Sequence, residues 1–112
     1  VAATMAEGAA RDNAEARGRG ELGSVGLVVG ATVGSAVRDL GVDLPGMAGP
    51  ILAPGLGAQG ATAADVRSVF SGALPQVLAS SSRDVPRAGP DVTSLRARAR
   101  EVATEVAAIT AA

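Results

Sequence analysis

Apolar and polar positions along the chain follow one rhythm, a helix and then three strand–helix units. Residues 1–17 predict a helix because Met5, Ala6, Ala9 and Ala10 recur at helical spacing opposite charged side chains. Continuous apolar runs predict strands that are covered on both faces. We predict strands at 25–31, 50–55 and 75–81, and further helices at 33–41, at 61–74 and after Asp91.

Capping signals mark the start of the two later helices. Thr62 is a suitable N-cap, and Asp65 suits the first turn of the helix that follows. Asp91 caps the long last helix in the same way. An apolar stripe on that helix is expected to face the core, and it consists of Leu95, Val102, Val106 and Ile109. The solvated face is expected to carry Arg96, Arg98 and Arg100.

Alternating strands and helices predict a parallel sheet with helical crossovers. Three such strands leave both sheet edges open, and a barrel of eight units needs about 250 residues. The predicted fold class is therefore α/β: residues 1–112 form the C-terminal part of a single (β/α)8 TIM-barrel domain, with a leading helix and about three βα units. Because the chain begins with Val1 rather than Met, we expect it to come from a longer polypeptide.

Composition excludes several kinds of chemistry within these residues. All ten basic residues are Arg, and the chain has no Lys, His or Cys. This excludes Schiff bases, a Walker-type phosphate lysine, the usual zinc sites and His-activated nucleophiles. A net charge of −1 argues against a nucleic-acid surface. The longest apolar stretch, residues 25–37, is interrupted and shorter than the ~20 residues of a membrane span, and the absence of Cys fits a cytoplasmic protein.

Loops at the carboxyl ends of the predicted strands are the candidate binding site, since ligands of parallel α/β folds lie there. Three loops qualify, at 30–34, 54–61 and 80–84. The middle loop offers backbone N–H groups and the Gln59 amide, and the last loop places Arg83 just past a strand. Amide donors together with one guanidinium suit a phosphate dianion. Less specific interpretations remain open: a plain glycine-rich loop, or an Arg83 that pairs with Asp84.

A dinucleotide site is an alternative, because Gly55, Gly57 and Gly60 match the pattern G-x-G-x-x-G. That fingerprint normally opens the first βα unit and is followed by an acid about 20 residues later. Here it lies in the middle unit, and the acid past the next strand is Asp84, directly after Arg83. Dinucleotide binding therefore stays the second hypothesis.

The strings "GLVVGATVG", "PGLGAQG" and "LASSSRDV" together resemble the C-terminal part of orotidine 5′-phosphate decarboxylase, in its actinobacterial-like branch. The resemblance implies a homodimeric, cytoplasmic (β/α)8 barrel that converts orotidine 5′-monophosphate to uridine 5′-monophosphate without a cofactor or metal. It implies a mobile loop over the phosphate that includes Pro54, Gly55 and Gly57. The implied phosphate ligands are Gln59, Gly60, Ser82 and Arg83, and Val29 is implied to line the pyrimidine pocket.

The sequence differs from the family in one respect that limits the expected activity. The family's catalytic Asp-x-Lys-x-x-Asp array is absent, because the chain has no lysine. We therefore predict no catalytic residue in this chain and no decarboxylation by residues 1–112 alone. The expected partner is the small-molecule substrate, with neither nucleic acid nor a membrane. A non-catalytic phosphate- or dinucleotide-binding module, and a structural piece that folds only with the rest of its barrel, remain alternatives.

Overall fold

The computed structural model describes residues 1–56, 61–81 and 84–110. In these ranges the predicted helices and strands follow one another in the expected order, but the first helix is divided in two and a short helix at Leu44–Met47 was not predicted. The helices are α1 (Ala2–Asp12), α2 (Ala14–Gly18), α3 (Ala36–Asp39), α4 (Leu44–Met47), α5 (Ala63–Val69) and α6 (Val92–Thr110). The strands are β1 (Leu27–Val28), β2 (Ile51–Pro54) and β3 (Val77–Ser80). None of the described helices is long and apolar enough to cross a membrane.

The three strands form one parallel sheet in the order β1-β2-β3, which confirms the predicted topology. Several predicted boundaries were wrong, among them those of β1, of β3 and of the helix predicted at 61–74, which ends at Val69. Regular pairing in β1 is limited to two residues, although Val29 N–H still donates to Leu52 O at 2.9 Å. The third strand begins at Val77 rather than Pro75, because Leu74–Gln76 forms a 3-10 turn. Proline lacks an N–H and fits such a turn better than a strand interior.

One face of the sheet carries the hydrophobic core. Ile51, Ala53 and Val77 are buried there against side chains from the helices, chiefly Phe70 and Met47. The opposite face carries an apolar row of Val28, Leu52 and Leu78, which are in register across the three strands. These side chains are 68%, 44% and 60% exposed. The expectation of strands covered on both faces therefore fails among the described residues, where helices cover only one face.

The predicted first helix is broken at Asn13, which separates α1 from α2. The Asn13 side chain is buried, and Nδ2 donates to Val25 O at 2.7 Å and to Met47 O at 2.9 Å. Its Oδ1 accepts from Val25 N–H at 3.1 Å. Gly49 leaves room for this arrangement, because a Cβ there would lie 2.0 Å from Val25 O and 2.7 Å from Asn13 Nδ2. A single side chain thus ties the first helix to the residues before β1 and to α4.

The last helix follows its prediction closely. Asp91 Oδ2 accepts from Ser94 N–H at 3.0 Å, which confirms the N-cap. Ile109 is buried, and the other three members of the predicted apolar stripe are partly buried. Arg98 was assigned to the solvated face, and this was wrong: it is partly buried and paired, as described below. Arg98 lies three residues after Leu95 and four residues before Val102, which places it on the same side of the helix as the apolar stripe.

Candidate phosphate-binding end of the sheet

The carboxyl ends of the three strands lie side by side at one end of the sheet. This follows from the parallel pairing, because Pro54, the last residue of β2, is in register with Ser80, the last residue of β3. The residues after β1 reach the same level, since Ala31 N–H donates to Pro54 O at 2.8 Å. The three loops that were predicted to form the site therefore begin at neighbouring positions.

The loop after β2 has a closed base. Leu56 and Ala61 form an isolated parallel bridge, and Ala61 N–H donates to Gly55 O at 3.2 Å. Gly55 has φ = 104°, a conformation that residues with a Cβ rarely adopt. The predicted loop residues Pro54 and Gly55 are thus the end of β2 and the turn that leads out of it. The remaining predicted loop residue, Gly57, lies outside the described residues, as do the predicted phosphate ligands Gln59, Gly60, Ser82 and Arg83.

A capping box starts α5 directly after this loop. Thr62 Oγ1 accepts from Asp65 N–H at 3.3 Å, and Asp65 Oδ2 accepts from Thr62 N–H at 2.7 Å. This confirms the predicted N-cap. The backbone N–H of Thr62, and then its hydroxyl, lower the pKa of Asp65 below its ordinary value of 3.8. The ionised carboxylate of Asp65 is therefore the form that fixes the backbone at Thr62, where the loop leads into α5.

The capping box predicts a pH dependence of stability. Because the folded pKa of Asp65 is lowered, its contribution is present above the unfolded pKa of 3.8 and is lost as pH falls through the folded value. Asp65→Asn removes this contribution. Chemical unfolding between about pH 5 and pH 2 should show a smaller loss of stability for the variant than for the unmodified protein. Equal losses of stability in the variant and in the unmodified protein would show that protonation of Asp65 does not contribute to the loss in acid.

The loop after β3 is anchored to α6 by an ion pair. Arg98 Nη2 donates to Asp84 Oδ2 at 2.5 Å, and Arg98 Nη1 donates to Glu101 Oε2 at 2.9 Å. These carboxylates, Asp84 first, raise the pKa of Arg98 above its ordinary range. Among the described residues the partner of Asp84 is therefore Arg98, whereas the pairing with Arg83 that the sequence suggested lies outside the described residues. Sequence reasoning missed this pair because its two residues lie 14 positions apart.

Ser81 directly follows β3 and is the last described residue before Asp84. Its Oγ is buried and has no hydrogen-bond partner among the described residues. Such a hydroxyl is unusual in a folded protein. In the sequence, Ser81 is only one of three consecutive serines at a polar strand end.

Val29 lies on the core side of the sheet. It packs against the hydrophobic core, as Leu27 does, whereas Val28 between them belongs to the exposed apolar row. Its pyrimidine-contacting role stays a prediction. An apolar groove of about 460 Å³ runs along the free edge of β1, between α1 and α3, and Val29 is one of its lining residues. No cluster of three or more acidic side chains suited to a metal ion occurs in the described part of the chain.

Comparison with known proteins agrees on one family. The chain is 63% identical over 81 residues to an orotidine 5′-phosphate decarboxylase of Salinispora arenicola, covering 72% of this chain and 28% of that protein. It is 50% identical over 107 residues to the enzyme of that name from Streptomyces coelicolor, covering 95% and 36%. The chain thus spans about a third of the length of these relatives. No family model matches it.

The same name appears among solved structures. A crystal structure from Streptomyces avermitilis, provisionally assigned as an orotidine 5′-phosphate decarboxylase, superposes with a TM-score of 0.82 at 47% identity. The match covers 100% of this chain and 37% of that one. The small parallel sheet and its helices therefore correspond to part of a TIM barrel, as predicted. Sequence and fold together identify the chain as a homologue of the C-terminal part of the orotidine 5′-phosphate decarboxylases.

Proposed function

We propose that this chain supplies the phosphate-binding end of an orotidine 5′-phosphate decarboxylase, which converts orotidine 5′-monophosphate to uridine 5′-monophosphate and CO2. One observation carries the proposal. The glycine-rich loop and the loop that contains Arg83 follow adjacent parallel strands, in a chain whose whole length superposes on a structure assigned to this enzyme. Loops after the last strands of a TIM barrel commonly form a phosphate site.

In this proposal each loop has its own task. Gln59 and the backbone N–H of Gly60 bind the phosphate. Both belong to the loop that begins at Pro54 and Gly55 and includes Gly57. Ser82 and Arg83 bind it from the loop after β3. The closed base supports this role, because the bridge between Leu56 and Ala61 holds the two ends of the loop next to each other at the end of β2. Val29 is proposed to lie near the pyrimidine.

The phosphate contacts contribute to the rate although no reacting atom lies near them. Binding energy from a remote part of a substrate can hold a loop closed and keep water out of the reacting centre. The chain itself contains no lysine, so the proton donor and the charged array that act on the pyrimidine must come from other parts of the enzyme. The chain's role is binding and closure.

The exposed apolar row has a place in the same proposal. In a closed TIM barrel the interior is filled by layers of side chains from the strands. Val28, Leu52 and Leu78 would belong to these layers in the complete enzyme, where the remaining strands cover them. We further propose that the complete enzyme is a cytoplasmic homodimer that acts on a small-molecule substrate and binds neither nucleic acid nor membranes.

The proposal is tested by expressing the complete reading frame that contains this chain, and separately residues 1–112 alone. We expect the complete protein to release CO2 from orotidine 5′-monophosphate and the 112 residues alone to be inactive. A chimera in which this chain replaces the matching part of the Streptomyces coelicolor relative should also be active. A folded chimera without activity would overturn the proposal. Binding of NAD(P) without binding of uridine 5′-monophosphate would favour the dinucleotide alternative.

A further inference from the structure

The charged cluster on α6 is joined to the loop that contains a proposed phosphate ligand. Asp84 directly follows Arg83 in the chain, and its carboxylate is held by Arg98 of α6. The same guanidinium contacts Glu101 at 2.9 Å, and Glu105 lies 3.9 Å from it. One arginine therefore faces three carboxylates, and only Asp84 comes from outside the helix.

Asp84 and Arg98 are the least solvated members of this cluster. Their side chains are 25% and 30% exposed, whereas those of Glu101 and Glu105 are 63% and 61% exposed. Solvent and salt weaken ion pairs most strongly where both charges are exposed. The contact between Asp84 and Arg98 is thus the part of the cluster that best holds a fixed geometry.

A carboxylate next to a residue that binds phosphate weakens phosphate binding unless another side chain holds that carboxylate. It repels a phosphate dianion, and it competes with that dianion for the same guanidinium. We propose that Arg98 is a positioning residue that holds the Asp84 carboxylate against α6 and so leaves Arg83 to the substrate phosphate. This inference rests on the proposed function, because it requires Arg83 to bind phosphate.

Packing also holds this loop on α6, so the ion pair is not its sole attachment. Gly89 lies so close to the helix that a Cβ there would be 2.9 Å from Leu95 Cδ2. Asp91 caps the helix at the end of the loop. Removal of Arg98 should therefore release the Asp84 carboxylate without unfolding the loop, which separates a role in phosphate binding from a role in folding.

The test compares binding of uridine 5′-monophosphate and uridine to the protein from the complete reading frame, by calorimetry. The variants are Arg98→Ala, Asp84→Asn, the double variant, and Arg100→Ala as an exposed control on the same helix. We expect Arg98→Ala to weaken binding of the nucleotide about three- to tenfold, because the released Asp84 carboxylate repels the dianion and competes with it for a guanidinium. Uridine binding should not change. Asp84→Asn should restore nucleotide affinity in the Arg98→Ala background.

The outcomes distinguish a role of Arg98 in phosphate binding from a purely structural role. If the double variant binds the nucleotide as weakly as Arg98→Ala, or if nucleotide and uridine affinities fall equally, the role of Arg98 is structural and the inference is wrong. If the unmodified protein binds the nucleotide no more tightly than uridine, the proposed function itself fails. Should Arg98→Ala not fold, Arg98→Gln, which keeps an N–H donor without the charge, takes its place in the same comparison.

Discussion

Arg83→Ala is expected to lower kcat/KM for orotidine 5′-monophosphate by about 10²- to 10³-fold in the protein from the complete reading frame. This corresponds to about 3–4 kcal/mol, within the range for truncating one member of a desolvated charge pair. A guanidinium can donate two parallel hydrogen bonds to a phosphate, and no other side chain can replace it in that geometry. Steady-state kinetics with the nucleotide substrate measures the effect.

Two controls show whether the loss belongs to the phosphate. Arg87→Ala removes a neighbouring exposed arginine from the same loop and should leave kcat/KM within about twofold, as expected for a surface change. Orotidine, which lacks the phosphate, should react at the same low rate with Arg83→Ala as with the unmodified protein. If Arg83→Ala slows both substrates equally, Arg83 does not bind the phosphate.

The largest effect on stability is expected for Asn13→Ala, about 3 kcal/mol of the unfolding free energy. The substitution leaves the N–H and C=O of Val25 and the C=O of Met47 without their partner. Each buried or partly buried group left unpaired costs about 1–3 kcal/mol. Since small domains are stable by only about 5–15 kcal/mol, this loss is a large fraction of the total. Denaturant unfolding measures it.

Asn13→Asp tests the direction of these hydrogen bonds. The carboxylate keeps the acceptor for Val25 N–H but places an oxygen where Nδ2 now donates to two carbonyl groups. We therefore expect Asn13→Asp to be less stable than Asn13→Ala at neutral pH and to recover part of the loss in acid, where protonation restores a donor. Asp12→Ala, an exposed neighbour, is the matched control and should change little. Equal stability of Asn13→Ala and Asp12→Ala would contradict this account.

Much of the fold could be predicted from local pattern alone. The order of elements, the parallel sheet and the N-caps at Thr62 and Asp91 were all confirmed. These features depend on side-chain periodicity and on hydrogen bonds between residues three positions apart. Boundaries were less well predicted, because a proline such as Pro75 can begin either a strand or a turn. Only pairing with neighbouring strands decides between the two.

The candidate site was predictable to a similar degree. Parallel topology places the ends of β2 and β3 side by side, so the sequence was sufficient to expect their loops at one site. The sequence did not reveal that Arg98 binds the Asp84 carboxylate, since both residues have charged neighbours along the chain that look equally suitable as partners. Nor did the alternation of apolar residues predict that Val28, Leu52 and Leu78 form an exposed row, because an apolar run does not show what covers each face.

By itself, then, the sequence determined the βα rhythm, the helix caps, the absence of lysine chemistry and the resemblance that names the family. Each of these depends on residue types and short spacings. The tertiary structure alone decided the contacts of Asn13, which reach residues 12 and 34 positions away, and the pairing of Asp84 with Arg98. Such contacts depend on how the helices pack on the sheet, and the strength of a buried hydrogen bond or ion pair is set by that packing.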